Sequence, residues 1–310
     1  MFSSTNLNSQ FDPEMTINSG QVFLWQRYGN LWYGVHGDHI FKISIFDKKS
    51  ENYDKSSTID NIDFYSSPSF DGWEKFVFRL DDNMNQIFDD LSKDVLMSKL
   101  IRKYFGLRLM RQDPFQCMIS FACSSNTNIP MIRNMLNNLS RKFGKKLMLD
   151  EKIFYTFPKV ERLYEASINE ICSCHVGYRA KAIKSIVDGI IEESFDLDDL
   201  KFSSYVKAKE QLMKIYGIGN KIADCVLLFS LEKVDAFPID VWISRALSSH
   251  YYNLIENKLP YINKLEKKLT TNNYLLVSNV IRNYFGKYCG YAQQYLYYYV
   301  RNNEKENGKK

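Results

Sequence analysis

"YGIGNKIADCVLLFSLEKVDAFPIDVW", residues 216–242, decides how the rest of the chain is read. Gly217 and Gly219 flank Ile218, and an apolar helical pattern opens at Asn220 and Lys221. Two glycines around a residue that tucks into a core make a tight turn between helices and leave backbone N–H groups facing outward. Such donors at a helix start form a site for a phosphate. The segment 204–232 is therefore read as a helix, a glycine hairpin and a second helix, with Gly217, Gly219 and Asn220 offered to the anion. On the glycines alone, an ordinary helical corner with glycine as a C-cap fits equally well.

Lys221 is the unusual residue. A cation in the first turn of a helix opposes the macrodipole and costs a few tenths to ~1 kcal/mol. The same field, aided by partial desolvation, favours the neutral amine, a nucleophile able to form a Schiff base with carbonyl-like carbon. A solvated lysine touching a phosphate is the other reading. Nineteen residues on, Asp240 follows Pro238 and Ile239 at a helix start, where it serves as an N-cap and the dipole holds it ionised. A capping aspartate needs no chemical role. A carboxylate fixed there can also face the amine and stabilise positive charge developing on a substrate.

The surrounding chain is long enough, at 310 residues, for two or three domains with a sizeable core. A net charge of +5 permits a polyanionic partner without requiring one. No apolar run approaches a membrane span, and MFSSTNLNSQFDPE lacks the basic and apolar regions of a secretion signal, so the expected compartment is cytosolic, around a nucleoid, or nuclear. The six cysteines are scattered and read as buried thiols. Cys172-Ser-Cys174 with His175 is too tight for the usual zinc knuckle.

Residues 21–46 alternate like an antiparallel meander, with turns at Gly29-Asn30 and Gly37-Asp38. A polar loop follows over 48–69, and KFVFRL, 75–80, reads as a further strand. Beyond it the period becomes helical: 85–105, 115–122, 129–143 with Pro130 in its first turn and Gly144 at its cap, then 161–171, 179–193, 204–215, 222–232, 241–250, 262–285 and 290–302, before a frayed tail. The expected fold is α+β, with a β-rich domain over 1–104 and a helical one over 105–310.

A glycine hairpin, a lysine and a Pro-x-Asp about twenty residues later resemble the helix-hairpin-helix DNA glycosylases with lyase activity. SGQVFLWQ (19–26), LRLMRQDPFQCMISFACSSNTNI (107–129), GYRAKAI (177–183) and GYAQQYLYYY (290–299) resemble, in order, segments of the eukaryotic-type 8-oxoguanine DNA glycosylase/lyase family. The resemblance runs from about 15 to 302. It implies a TATA-binding-protein-like β domain, a two-lobed helical domain, duplex DNA carrying 8-oxoguanine as partner, a monomer, and no required cofactor. Carbonyls of Met213, Ile215 and Ile218 would hold a structural cation at the hairpin. Iron–sulfur relatives need a C-terminal cluster of four cysteines, and only Cys289 lies there; relatives acting on alkylated bases lack the lysine.

The same resemblance assigns roles. Lys221 would attack C1′ of the damaged nucleoside, assisted by Asp240. Cys225, one turn beyond Lys221, would lie against the extruded base, with Pro238 beside it. Gln293 would meet the base's Watson–Crick edge, and Tyr297, where the family usually has phenylalanine, would stack on it. The Gly20 carbonyl would accept from N7–H, which 8-oxoguanine has and guanine lacks. Asn126, Tyr178 and Arg179 would fill the gap left by the base and hold the orphaned cytosine. Met131 stands where the best-known members have a cytosine-reading arginine, and methionine cannot donate to a base edge. Trp242 stands where the family commonly has a histidine that contacts phosphate. Non-catalytic DNA binding by the hairpin, or excision of another damaged base, is the alternative.

Overall fold

The computed structural model describes residues 3–4, 11–45, 62–260 and 269–307. The expected loop at 48–61, the first residues expected in the 262–285 helix, and 308–310 of the tail lie outside the described residues. By packing, the chain forms two units: residues 1–82 with 106–192, and residues 83–105 with 193–310.

The first unit carries an antiparallel five-stranded sheet in the order β1-β5-β4-β3-β2, with β1 Ser3–Ser4, β2 Gln26–Tyr28, β3 Leu31–His36, β4 His39–Ile45 and β5 Ile62–Ser67. Strand alternation sends Trp32, Phe41, Ile43 and Phe64 to one face, where they pack with Phe11, Ile17, Trp73 and Phe78. Phe41 stacks on Trp73 at 4.1 Å and 6°, worth about 0.5–1.5 kcal/mol beyond its buried area. Tyr33 and Ile40 face the other way and are covered by a hairpin, β6 Lys146–Leu149 and β7 Lys152–Tyr155, through Leu147, Leu149 and Phe154. This hairpin was missing from the sequence reading, because its strands are only four residues long and the apolar Met148 and Ile153 face outward.

Two expectations for this unit are corrected. KFVFRL is not a strand: Trp73–Val77 is helical, Phe78 N–H donates to Glu74 O, and Arg79 turns the chain at φ 49°. Its apolar residues do not alternate, since Phe76 is exposed while Val77 and Phe78 are buried side by side. The missing strand is β5, inside the stretch read as loop. There Ile62, Phe64 and Ser66 point inward, and the aspartate, tyrosine and serine between them made the stretch look polar.

Helices Pro114–Cys123, Ile129–Phe143 and Ala180–Ile191 also belong to the unit. Ile132, Met135, Leu136, Leu139 and Phe143 are buried, as their spacing requires. Gly144 ends this helix with extended backbone rather than a left-handed cap. Glycine is needed there because a Cβ would sit 2.0 Å from Thr156 O, where the chain leaving β7 passes.

The second unit is helical. The expected helix 85–105 breaks into Met84–Leu91 and Val95–Lys103, because Asp94 caps the second piece through Met97 N–H. The same carboxylate accepts from Tyr251 (3.0 Å) and Tyr284 (2.9 Å), tying the inserted pair into this unit. Tyr205–Leu212, Asn220–Ser230, Val241–His250, Tyr252–Lys258, Thr271–Phe285 and Cys289–Asn307 follow, the last extending past the expected end at 302. Among the described residues no helix is long and apolar enough to cross a membrane.

Candidate active site

The hairpin lies between the helices Tyr205–Leu212 and Asn220–Ser230. Gly217 has φ 88°, a conformation costly for any residue with a Cβ. Ile218 is buried, and its N–H donates to Ile215 O (3.1 Å), closing the turn. Gly219 is the N-cap, so no side chain covers the first amides of the helix, and open space surrounds its missing Cβ. Asn220 is buried with an Oδ1 that has no hydrogen-bond partner. An anion approaching this end meets bare N–H groups and the positive end of the dipole. Of the three carbonyls read as cation ligands, that of Ile215 already accepts one hydrogen bond and keeps a second lone pair. A set of neutral carbonyls fits a hard, oxygen-loving cation.

Lys221 is half-buried in the first turn of the second helix. Asp240 caps Val241–His250, its Oδ1 accepting from Trp242 N–H (3.0 Å) and Ile243 N–H (2.9 Å). The two helix starts bring the amine and carboxylate into one electrostatic neighbourhood. Burial pushes the Asp240 carboxyl above its ordinary pKa, while Lys221 and then the cap amides pull it down. Part of the residue's surface stays in solvent, but the packing around its carboxyl makes desolvation the largest effect. Burial thus opposes the cap and helix dipole, which by themselves favour the ionised form. Cys225 is 3% exposed, and burial pushes its thiol up to about 12; Lys221 opposes this shift and Asp240 adds to it. Burial and then Asp240 also raise the Tyr297 hydroxyl, against the pull of Arg301. Lys221, Cys225, Asp240 and Tyr297 therefore share one site.

Gln293 closes it. The residue is 5% exposed, and its Nε2 donates to Pro238 O at 3.2 Å. Its Oε1 is buried with no hydrogen-bond partner. A buried amide oxygen left unpaired costs about 1–3 kcal/mol, so a group that donates a hydrogen bond to it would bind favourably here. Gly290, at the start of the same helix, allows the approach: a Cβ there would meet Leu228 Cδ1 at 2.3 Å and Val234 O at 2.7 Å. Trp242 lies under the Arg245 guanidinium, 5.1 Å from its ring centre.

The other residues expected from the sequence to contact DNA lie in the first unit. Asn126 adopts φ 48°, and Tyr178 Oη (3.1 Å) and Arg179 Nη2 both donate to Ser125 O. The guanidinium stacks on the Tyr178 ring at 4.6 Å. Asn126, Tyr178 and Arg179 thus form one cluster. Met131 is exposed, off the buried stripe of its helix. Gly20 sits in a turn at φ 83°. That turn is pinned by Gln21, whose side chain donates to Ser19 Oγ and Arg108 O (both 2.8 Å) and accepts from Met110 N–H (2.7 Å). Cys172 and Cys174 spend their thiols on the carbonyls of Gly177 and Glu170. Among the described residues no three His, Cys, Asp or Glu side chains are grouped to hold a metal.

The sequence reading missed Asp224, the residue before Cys225. It is fully buried, with Lys209 Nζ 2.8 Å away and hydroxyls of Tyr205 and Tyr274 each at 2.7 Å. Its one signal was an aspartate inside the otherwise apolar run IADCVLLF.

Comparison with known proteins matches residues 4–118 to the model of the 8-oxoguanine DNA glycosylase N-terminal domain. An N-glycosylase/DNA lyase of Arabidopsis thaliana is 28% identical over 300 residues, 91% of this chain and 75% of that protein. The Saccharomyces cerevisiae N-glycosylase/DNA lyase is 32% identical over 249 residues, 71% of this chain and 64% of its own. The Clostridium acetobutylicum 8-oxoguanine glycosylase/lyase, solved with duplex DNA containing cytosine opposite 8-oxoguanine, superposes with a TM-score of 0.80 at 32% identity, covering 96% of this chain and 93% of that one.

Proposed function

The chain belongs to the 8-oxoguanine DNA glycosylase/lyase family, and from that premise we propose that it removes 8-oxoguanine from duplex DNA through a covalent bond to Lys221. The observation that carries this reading is that Lys221 and Asp240, at two helix starts, feel each other electrostatically, in the same unit as the unpartnered acceptor of Gln293.

The base leaves the stack at a cost of a few kcal/mol, offset by contacts to the pocket and backbone. Tyr178 and Asn126 fill the gap, and the hairpin amides with Lys221's helix start hold a phosphate. Cys225, neutral at physiological pH, and Tyr297 form the two faces of the base site, and Gln293 Oε1 takes a donor from its Watson–Crick edge. The Gly20 carbonyl takes the N7 proton that distinguishes the lesion. As the N-glycosidic bond breaks, the Asp240 carboxylate stabilises positive charge on the sugar, and the Lys221 nitrogen bonds through its lone pair to C1′. The base departs with the glycosidic electron pair and takes a proton. Opening of the sugar ring gives a Schiff base; loss of a C2′ proton then expels the 3′ phosphate, and hydrolysis of the imine frees Lys221. The protein acts as a monomer, in the compartment that holds its DNA.

Borohydride in the reaction mixture tests this reading. Wild-type protein becomes covalently attached to a duplex carrying 8-oxoguanine, and Lys221→Gln does not. Excision of the base by wild-type protein without any covalent trapping would overturn it. A hairpin that only bound DNA would show neither excision nor trapping.

A further inference from the structure

Asp224 stands one turn beyond Lys221 on the hairpin helix and belongs to none of the contacts assigned above. Two of its three donors are ordinary ways to satisfy a buried carboxylate. Tyr205 donates to Oδ1 at 2.7 Å, and Lys209 reaches Oδ2 at 2.8 Å while also donating to Tyr205 Oη at 3.0 Å. Tyr274 differs. Its hydroxyl lies 2.7 Å from Asp224 Oδ2 and accepts from the backbone N–H of Ile239 at 3.0 Å. An amide can only donate, so the Tyr274 proton must point to Asp224, and a single hydroxyl joins the hairpin helix to the residue preceding Asp240. On the other side of the same turn, Gln293 donates to Pro238 O.

We propose that Tyr274, bridging Asp224 and Ile239, is a positioning residue that sets the separation between the Lys221 amine and the Asp240 carboxylate. The inference rests on the reading of Lys221 and Asp240 as the reacting pair. Both side chains start from helix ends, with 18 residues of chain between them. The bridge couples them with two short hydrogen bonds in a site without solvent, where Asp224 is 0% and Tyr274 5% exposed. Burial pushes the Asp224 carboxyl up and the Lys209 amine down, and their mutual attraction opposes both. The energetic cost of this buried pair is better explained by fixed geometry than by stability, since an apolar replacement would hold the helices together as well.

Tyr205 supplies an internal control, because it gives the same carboxylate one hydroxyl but does not touch the turn. Tyr274→Phe and Tyr205→Phe each delete one donor to Asp224. Single-turnover excision from an 8-oxoguanine duplex is measured well below the melting temperature of each, with affinity for a duplex bearing a tetrahydrofuran abasic analogue. Tyr274→Phe should slow excision and borohydride trapping roughly 10- to 100-fold, the effect of a small misplacement of reacting groups. Its affinity for the analogue should stay within about 2-fold, and Tyr205→Phe should keep its rate within about 3-fold. Equal rates for the two variants would overturn the inference while leaving Lys221 as nucleophile. Failure of the wild type to trap would overturn both. Hydrogen exchange on the wild type gives a test that needs no variant: the Ile239 amide should be protected like the core of the hairpin helix, and exchange at the rate of an open turn would equally defeat the proposal.

Discussion

Cys225 and Gln293, in the helical unit, are 3% and 5% exposed, whereas Tyr178 and Met131, in the sheet-bearing unit, are 63% and 48% exposed. In the helical unit, the reacting groups are held by buried hydrogen bonds with few acceptors to spare. What is left over there, Gln293 Oε1 with Asn220 Oδ1 and Ser278 Oγ, includes the acceptor of the side chain that bonds Pro238. In the sheet-bearing unit, the cluster is anchored on the backbone carbonyls of Ser125 and Val176, and the Tyr178 ring stands in water. An exposed polar atom there signals nothing, because water satisfies it, although Arg179 Nε is buried without a hydrogen-bond partner. A buried site announces its ligand through what it leaves unsatisfied; an exposed site does so only through residue type.

Substitutions can break or sharpen this contrast. Lys221→Gln should lower single-turnover excision by about 10^4-fold or more with DNA affinity retained, since loss of a nucleophile removes the covalent route. Survival of trapping would end the assignment. Asp240→Asn should cost about 10^2- to 10^3-fold in excision rate while leaving the melting temperature almost unchanged, because asparagine caps a helix as well as aspartate does. In the wild type, burial favours the neutral acid, so the useful carboxylate is lost as pH falls through a raised pKa. The acid limb of the rate profile should therefore lie above the ordinary carboxylate range and disappear in Asp240→Asn.

The exposed cluster should respond more weakly and without loss of stability. Tyr178→Ala should weaken binding to lesion duplex about 10-fold, read by titration, with thermal unfolding unchanged; a large fall in melting temperature would place the ring in the fold instead. Smallest, Met131→Arg should add cytosine preference of about 1 kcal/mol, measured as relative excision opposite each of the four bases. The native protein should show little preference among them, and a strong one would remove Met131 from the argument.

The helical part was largely legible because its signals are local. Asn128, Asp113 and Ser204 cap helices through amides three residues on, and the apolar stripe of Ile129–Phe143 has the period of its buried face. The β region misled where a strand's inner face is nearly polar, as in Ile62–Ser67, and where adjacent aromatics imitate a strand, as in 75–80. Gly290 gave no sign of its purpose, since the carbonyl it avoids belongs to a residue 56 positions earlier.

By itself, the sequence determined the glycine hairpin, the lysine in its first turn and the aspartate at the next helix start, because backbone preference and capping act within a few residues. Only the tertiary structure decided that amine and carboxylate face the same ground, that Tyr274 bridges their supports, and that Gln293 keeps an oxygen unpaired. Desolvation and long-range hydrogen bonds depend on which distant segments packing brings together, and no local pattern records that choice.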